Sequence, residues 1–494
     1  MHKHPKSVST LFILLIATFS SFVNAQNDAD LFIFSKEYYE GRARFNAMSG
    51  AFGSVGADIS AAQINPAAMG RFSSSQVSIS LGSTINNTTA DFMSTKSKDL
   101  KSGFSIPSIG LVFTKDLSNK NKGDMYSQFG IGMNRLINFR QNTTIEGQQF
   151  PSLLDNFIGQ AQGYYPENLS AAFPFSTSLA WESYVINFDE NNVGYTSYLN
   201  SGDMQMKRTI ETTGGVNEFF LSYSRNRLNK LYYGASLGLR TYSRTDAYVH
   251  SEDLVQKDTF FVGFDYKYQL KTSGYGANLK LGVIYLVTDG FRIGASIHTP
   301  TIISLTDKWT ATMTGRFNGG QNVSVPQDLV PEGQYKYRMI TPFKANVSAS
   351  YVIGMSALIS ADIEYLGYNQ ARLKSTRDIT YQAYDFKIEN ADAKKRLTNA
   401  INFRLGAEYN IQQKLFIRAG MAIYGNAYKK SENVDPKPDL SFSGGLGYKF
   451  GRFSIDLAYV NRAMKRVYYP FTGSNTANTK LSYNSITVSG TIRF

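Results

Sequence analysis

The side chains best suited to chemistry are few. The chain of 494 residues holds four histidines and no cysteine, which removes disulfides, thiol catalysis and cysteine-ligated metals together. His2 and His4 lie in a leader, leaving His250 and His298. A metal or haem ligand needs partners, and none stands at ligand spacing beside either histidine. A Ser-His-Asp hydrolase would need one of the two beside a serine, and no nucleophile motif is present. Gly53 and Gly56 could open a phosphate cradle, but no strand precedes them and no Lys follows at P-loop spacing. No catalytic residue, metal ligand or cofactor is therefore assigned. What remains is recognition chemistry. Arg404, Glu408, Arg418, Asp362 and Asp456 each alternate with apolar neighbours. They are either mutually paired, or Arg404 and Arg418 offer a planar fork to a ligand carboxylate. Leu153, Leu154, Phe157 and Ile158 share one helical face. They either pack on neighbouring loops or form an exposed landing patch where a hydrophobic ligand leaves water.

The elements that must position these residues are strands. Fourteen segments alternate apolar and polar at period two, from Gln76–Ser83 through Tyr126–Arg135 and Ala400–Ile411 to Asn484–Phe494. In the last, Ile486, Val488, Ile492 and Phe494 share a face opposite Thr487, Ser489, Thr491 and Arg493. A soluble sheet would need a layer of protein over that apolar face, and no amphipathic helices follow the strands to supply it. Lipid covers it instead, and a terminal aromatic is how outer-membrane barrels usually end. The connections alternate long and short, with tight ones at Thr288–Gly290, Ile353-Gly354, Gln412-Gln413 and Gly451. One rim therefore carries every long loop, and an even strand count puts both termini on the other. The expected fold is all-β, a transmembrane antiparallel barrel of about 14 strands. Its lumen is too wide to be filled by its own side chains.

The ends of the chain carry addresses. Lys3 and Lys6, the apolar run 11–17 and Val23-Asn-Ala25 read as a cleaved signal peptide over residues 1–25. No cysteine follows, so a lipoprotein is excluded. The formal charge is +13, but Lys and Arg are scattered rather than striped, which argues against nucleic acid. Lipopolysaccharide and other outer-membrane lipid fit better, with the barrel-assembly machinery as the partner any such barrel meets. Residues 76–494 form the barrel with long extracellular loops, and residues 26–75 precede it. That stretch is rich in small residues with Phe45, Met48, Phe52, Val55, Ile59, Ile64 and Met69 as regular apolar anchors. It reads as a folded plug in the lumen, against the alternative of a flexible linker.

The run from Ala47 to Met69, with its Asn65-Pro66-Ala67, resembles the N-terminal hatch of the FadL-type outer-membrane transporters of long-chain fatty acids and aromatic hydrocarbons. Leu405–Tyr409, Ile417–Gly420 and Ser441–Gly451 are similar to the late strands of that family. The resemblance implies a non-enzymatic barrel in the outer membrane of a Gram-negative bacterium. It implies passive diffusion of a hydrophobic small molecule past the hatch, with lateral exit beside an inwardly kinked strand. Asn65, Pro66, Ala67, Gly130 and Gly132 are then the gating candidates. The two glycines face inward on the third strand and either permit a kink there or accommodate plug bulk. Barrels of this kind also include shuttles of a protein secretion system and proteins called hemin receptors, and these stay open as alternatives.

Overall fold

The computed structural model describes residues 28–494 except 120–122, 149–150, 192–193, 199–203, 256–259, 355, 382 and 430–436. The expected leader lies outside these residues. Fourteen antiparallel strands close on themselves. In order they are β1 Gln76–Phe92, β2 Thr95–Asp116, β3 Asp124–Asn138 resuming as Gln141–Gln148, β4 Met204–Arg227, β5 Leu231–Leu254 and β6 Phe261–Leu286. There follow β7 Phe291–His298 resuming as Ile302–Phe317, β8 Glu332–Ile340 resuming as Lys344–Ile353, and β9 Ala357–Gly367 with a spur Arg372–Ser375. The wall ends with β10 Asn399–Ile411, β11 Leu415–Tyr424, β12 Asp439–Phe450, β13 Phe453–Tyr468 and β14 Ala477–Arg493. The seam closes by pairing β1 with β14, from Gln76 opposite Arg493 to Asp91 opposite Asn478.

Along most of the wall the hydrophobic residues of the apolar belt turn outward. Ile401, Leu405 and Tyr409 of β10, Ile455, Leu457 and Tyr459 of β13, and Ile486, Val488 and Ile492 of β14 are all exposed. Across the barrel Leu237 and Leu239 of β5 and Leu279, Leu281 and Val283 of β6 repeat the pattern. Asn402, Arg404, Arg418, Asp456, Lys344, Asp362 and Glu364 point into the lumen and are buried there. Such a wall is a lipid-facing surface around a polar interior. Among the described residues no helix is long and apolar enough to cross a membrane.

The rims differ as expected. Gln412 and Gln413 turn β10 into β11 with φ of 52° and 58°, the mirror-image geometry that suits the strand twist. Phe494 N–H donates to Ser75 O at 2.9 Å, placing both ends of the wall on that same rim. The opposite rim departs from the sequence reading. Segments expected to be long loops are largely strand: β1 runs on to Phe92, and a two-residue turn at Met93-Ser94 starts β2 at Thr95. Above the lipid both faces of a strand meet water, so the apolar alternation fades while the backbone ladder continues. Over this rim sit α3 Leu153–Ala161, α4 Pro166–Ala172, α5 Thr177–Glu182 and a small hairpin, Ile186–Asp189 with Gly194–Ser197.

Strand breaks shape the interior. β3 is interrupted after Asn138 and β7 between His298 and Ile302. Both halves of β3 pair with β4, and both halves of β7 pair with β6. Pro300 lies in the second break, where a residue lacking an N–H ends a ladder.

Residues 28–75 occupy the lumen. They form helix α1 Asp28–Ser35, short helix α2 Ala43–Ala47 and two 3₁₀ turns, Ile59–Gln63 and Pro66–Arg71. Phe45, Met48, Phe52, Ile59, Ile64 and Met69 are all buried.

Candidate transport site

The plug is held by charged and hydroxyl side chains that reach the wall in several directions. Lys36 pairs with Asp439 at 2.6 Å. Glu37 pairs with Arg240 at 2.6 Å and Lys344 at 2.5 Å. Tyr39 donates to Glu364 at 2.7 Å, and Tyr483 donates to Glu40. Arg42 donates to Thr491 at 2.6 Å, and Arg44 grips Glu408 with two bonds of 2.8 Å. Buried charges persist only when paired in this way. These partners lie on β5, β8 to β10, β12 and β14. The wall facing β2 and β3 is held differently.

There the barrel wall parts. β2 pairs with β3 only from Ser108 opposite Asn134 to Asp116 opposite Tyr126, so the length of β2 from Thr95 to Pro107 has β1 alone as its backbone partner among the described residues. β3 bulges between Arg135 and Ile137 and carries its second half inward. Side chains bridge the opening. Asp99 accepts from Thr144 N at 2.6 Å and Thr144 Oγ1 at 2.8 Å, and Ser97 donates to Glu146 at 3.2 Å. Arg140 Nη1 donates to Phe104 O at 2.7 Å. On the lipid side Phe104 stands 83% exposed. From within, the plug takes over the edge that β2 has left: Tyr38 N–H donates to Leu136 O and Glu40 N–H to Arg135 O, both at 3.1 Å.

Beside this opening the lumen changes character. Leu136 and Ile137 of β3, Val216 of β4, Tyr242 of β5, Ile303 and Leu305 of β7, and Tyr337 and Met339 of β8 form an apolar chamber. The helix Asp28–Ser35 fills it with Leu31, Phe32 and Phe34. The Phe34 ring lies 5.9 Å from both Tyr242 and Phe139, the latter at the break in β3. Phe32 stacks edgewise at 5.3 Å on Tyr428.

The residues singled out from sequence fall in several places. Leu153, Leu154 and Phe157 are buried and Ile158 partly so, packed with Tyr266, Met313 and Phe317 beneath the cap. They are not an exposed landing patch: this packing buries the apolar face of the helix, and the capping box of Ser152 and Asp155 fixes only where the helix starts. Arg404 and Arg418 are not free cations. Arg404 donates to Glu364 and Asn346 at 3.1 Å each, and Arg418 contacts Glu408 at 2.5 Å and Asp456 at 2.8 Å.

Asn65 caps the turn Pro66–Arg71 by accepting from Ala67 N at 3.0 Å, and donates to Gly53 O at 2.7 Å and Val283 O at 3.2 Å. Asn65-Pro66-Ala67 is therefore seated against β5 and β6 rather than at the opening beside β3. Gly130 and Gly132 lie in regular ladder opposite Val112 and Gly110. A Cβ on Gly130 would overlap Met69 of the plug. The wall parts just beyond these glycines, after Asn134. The sequence reading passed over the helix Asp28–Ser35 and the anchors Lys36 to Glu40. The apolar run Leu31–Phe34 followed by six consecutive hydrogen-bonding side chains, Ser35 to Glu40, was the available signal.

Among the described residues no cluster of three or more His, Asp or Glu could hold a metal. Ser152 donates to Glu252 and His250 meets Glu252 at 2.8 Å, so the carboxylate stands between hydroxyl and imidazole. That order is not the serine–histidine–acid arrangement of a nucleophilic triad.

A polar-lined, membrane-spanning barrel with a seated luminal plug is the architecture these observations define, and comparison with known proteins places it. The fold is that of the FadL-type barrels. A FadL homologue from Pseudomonas aeruginosa superposes with a TM-score of 0.55 at 13% identity, covering 93% of this chain and all of that one. The toluene transporter TodX of Pseudomonas putida gives 0.51 at 16% identity, covering 92% and 98%. In sequence, the chain is 25% identical over 244 residues to outer membrane protein P1 of Haemophilus influenzae, 47% of this chain and 48% of that protein. It thus spans about half the length of that curated relative. No family model matches the chain.

Proposed function

We propose that the protein is a passive channel of the outer membrane for hydrophobic small molecules, long-chain acid-like or aromatic, with lateral release through the parted wall between β2 and β3. One observation carries this reading: the apolar chamber filled by Leu31, Phe32 and Phe34 adjoins the length of β3 that β2 leaves unpaired, with Leu136 and Ile137 common to both. A hydrophobic ligand that takes the place of the helix Asp28–Ser35 exchanges one set of apolar contacts for another. Displacing that helix pulls on Tyr38 and Glu40, which cover the β3 edge. The ligand then meets a side exit into lipid without crossing the charged plug anchors. The similarity to outer membrane protein P1 and to the barrel of a toluene transporter supports the same reading.

The test is uptake by cells lacking the gene, complemented with the wild type or with Leu305→Trp, which fills the chamber. Labelled long-chain acid and toluene are supplied separately. Wild-type complementation restores uptake of at least one, and Leu305→Trp restores severalfold less while assembling equally. Equal uptake with and without the gene for both compounds overturns the proposal.

A further inference from the structure

The outer wall over β6, β7 and β8 carries a second feature that the transport route does not use. Its outward face changes abruptly at the end of the apolar belt. Along β6 the outward residues run Tyr285, Val283, Leu281, Leu279, Ala277 and Tyr275, and then become Ser273, Lys271, Gln269 and Lys267. Lys271 stands directly opposite Lys308 of β7, both exposed. Like charges facing across a ladder repel one another, so an anion between them is favourable. The same row structure brings in a third cation. Tyr275 lies opposite Ser304, Ser304 opposite Arg338 of β8, and Arg338 opposite Lys374 of the β9 spur. Among the described residues no ion pair engages Lys271, Lys308 or Lys374. Of the acids around the row, Asp378 is held by Lys336 at 3.0 Å and Asp385 by Lys387 at 2.5 Å, while Glu332, opposite Thr310 and two residues along from Lys308's neighbour Gln334, offsets part of the charge at the outer end. Arg338 uses Nε to bind Ser375 O at 3.0 Å.

Immediately below this cationic row the wall is dented. The break at Pro300 and the small Gly276 and Ala277 leave a hollow of about 480 Å³, rimmed by Phe219, Leu239, Tyr275 and Ile302. All four face lipid, Tyr275 with 72% of its surface exposed. A second hollow of about 540 Å³ lies beside it, and Arg338 borders both. An apolar groove at bilayer depth, a cation at its lip and a cationic surface above it match a molecule with acyl chains below and phosphate above.

We propose that this face binds one lipopolysaccharide molecule of the outer leaflet. An acyl chain lies in the lower hollow, and the phosphorylated sugar headgroup is clasped by Arg338, Lys271 and Lys308. The proposal rests on placement of the barrel in the outer membrane but not on transport, and its test reads bound lipid rather than uptake.

Wild type, the triple variant Lys271→Glu/Lys308→Glu/Arg338→Glu and the milder Lys271→Gln/Lys308→Gln are purified from outer membranes in mild detergent, and bound lipid is measured by mass spectrometry. Lys465→Glu/Lys480→Glu is the control, because those lysines also face each other but on the opposite side of the barrel. Delipidated protein is then titrated with lipopolysaccharide, with a dianionic phospholipid in mixed micelles and with inorganic phosphate. Wild type and control retain lipopolysaccharide. The triple variant binds it at least about a hundredfold more weakly, since losing each cation near an anionic lipid surface is worth about fivefold and the introduced carboxylates add repulsion. The Gln variant falls between. Equal retention by wild type and a correctly assembled triple variant overturns the site, as does an equal loss in the control. Equal or tighter binding of the phospholipid or of phosphate overturns the choice of lipopolysaccharide. Absence of the protein from the outer membrane overturns its placement instead.

Discussion

Tyr38 N–H donates to Leu136 O at 3.1 Å, so a plug residue occupies the strand edge that β2 abandons. The wall is completed there by a segment that is not part of the wall. Backbone groups exposed at a sheet edge must be satisfied by something, and at this edge the partner belongs to a chain segment anchored by a helix in the apolar chamber. Residues 28–40 enter no strand pairing of the wall, so deleting them removes no rung of the β1–β14 seam or of any other ladder. The expected outcome is an assembled barrel with raised permeability to small hydrophobic dyes. Unchanged permeability in liposomes would show that the bridging side chains alone seal the opening.

Those side chains supply a second test. Asp99 and Thr144 touch across the opening through two hydrogen bonds, and the chain has no cysteine of its own. In Asp99→Cys/Thr144→Cys a disulfide would clamp β2 to the inner half of β3. Uptake of the hydrophobic substrate should fall severalfold under oxidising conditions and return with reductant. Uptake indifferent to the oxidation state removes this opening from the route.

The glycines of β3 separate two roles. A Cβ at Gly132 would stand 2.6 Å from Ile109 O, in the backbone of the neighbouring strand, whereas at Gly130 it meets the flexible end of Met69. Backbone cannot yield as a methionine can. Gly132→Val is expected to destabilise the folded barrel by about 1–3 kcal/mol, as overpacking does, and Gly130→Val by clearly less. Urea titration of the assembled barrels, read by heat-dependent gel mobility, checks the order.

How much of this was legible beforehand follows from what each signal encodes. Alternation along β10 and β14 is enforced by lipid on one side and water on the other, so facing could be read from Ile401, Leu405 or Ile486, strand number from the fourteen alternating segments and the rims from the alternation of long and short connections. The strand extensions above the belt could not, because Thr88 to Lys101 alternate nothing that lipid would select. Arg404 illustrates a different limit. Sequence placed it in the lumen, but whether it is paired depends on Glu364 and Asn346, which belong to strands β9 and β8, and on how closely those strands approach. The opening beside β3 depends on hydrogen bonds that are missing between β2 and β3, and backbone pairing leaves no mark on residue type.

Arg404 therefore predicts as a structural residue. It is buried with Glu364 at 3.1 Å and Asp362 at 3.9 Å, and removing it leaves two carboxylates without their counter-charge. Arg404→Met is expected to cost about 3–5 kcal/mol. Adding Glu364→Gln should recover part of that loss, because one uncompensated charge is then gone. If Arg404 instead served a ligand carboxylate, the single variant would keep its stability and lose affinity for long-chain acids alone. Denaturation and binding measured on the same two variants distinguish these outcomes.

The outer cap carries a pH dependence through His250, which lies far out along β5, beyond the belt. Arg208 Nε donates to its Nδ1 at 3.1 Å, and its Nε2 meets Glu252 at 2.8 Å. Glu252 in turn accepts from Ser152 and from Leu153 N, holding the start of α3. Burial, with a smaller contribution from Arg208, lowers the His250 pKa against the opposing pull of Glu252. A proton on Nδ1 would face the Arg208 N–H, donor against donor. With the folded pKa below the unfolded value of about 6.5, the unfolded cap binds more protons in the interval between them. Stability is then complete above about pH 6.5 and declines as pH falls through that value toward the folded pKa. Limited proteolysis of the cap on intact cells should accelerate in mildly acidic medium. In His250→Gln, whose amide can still donate to Glu252, that acceleration should disappear. An acid response that survives in the variant would assign the effect to another group.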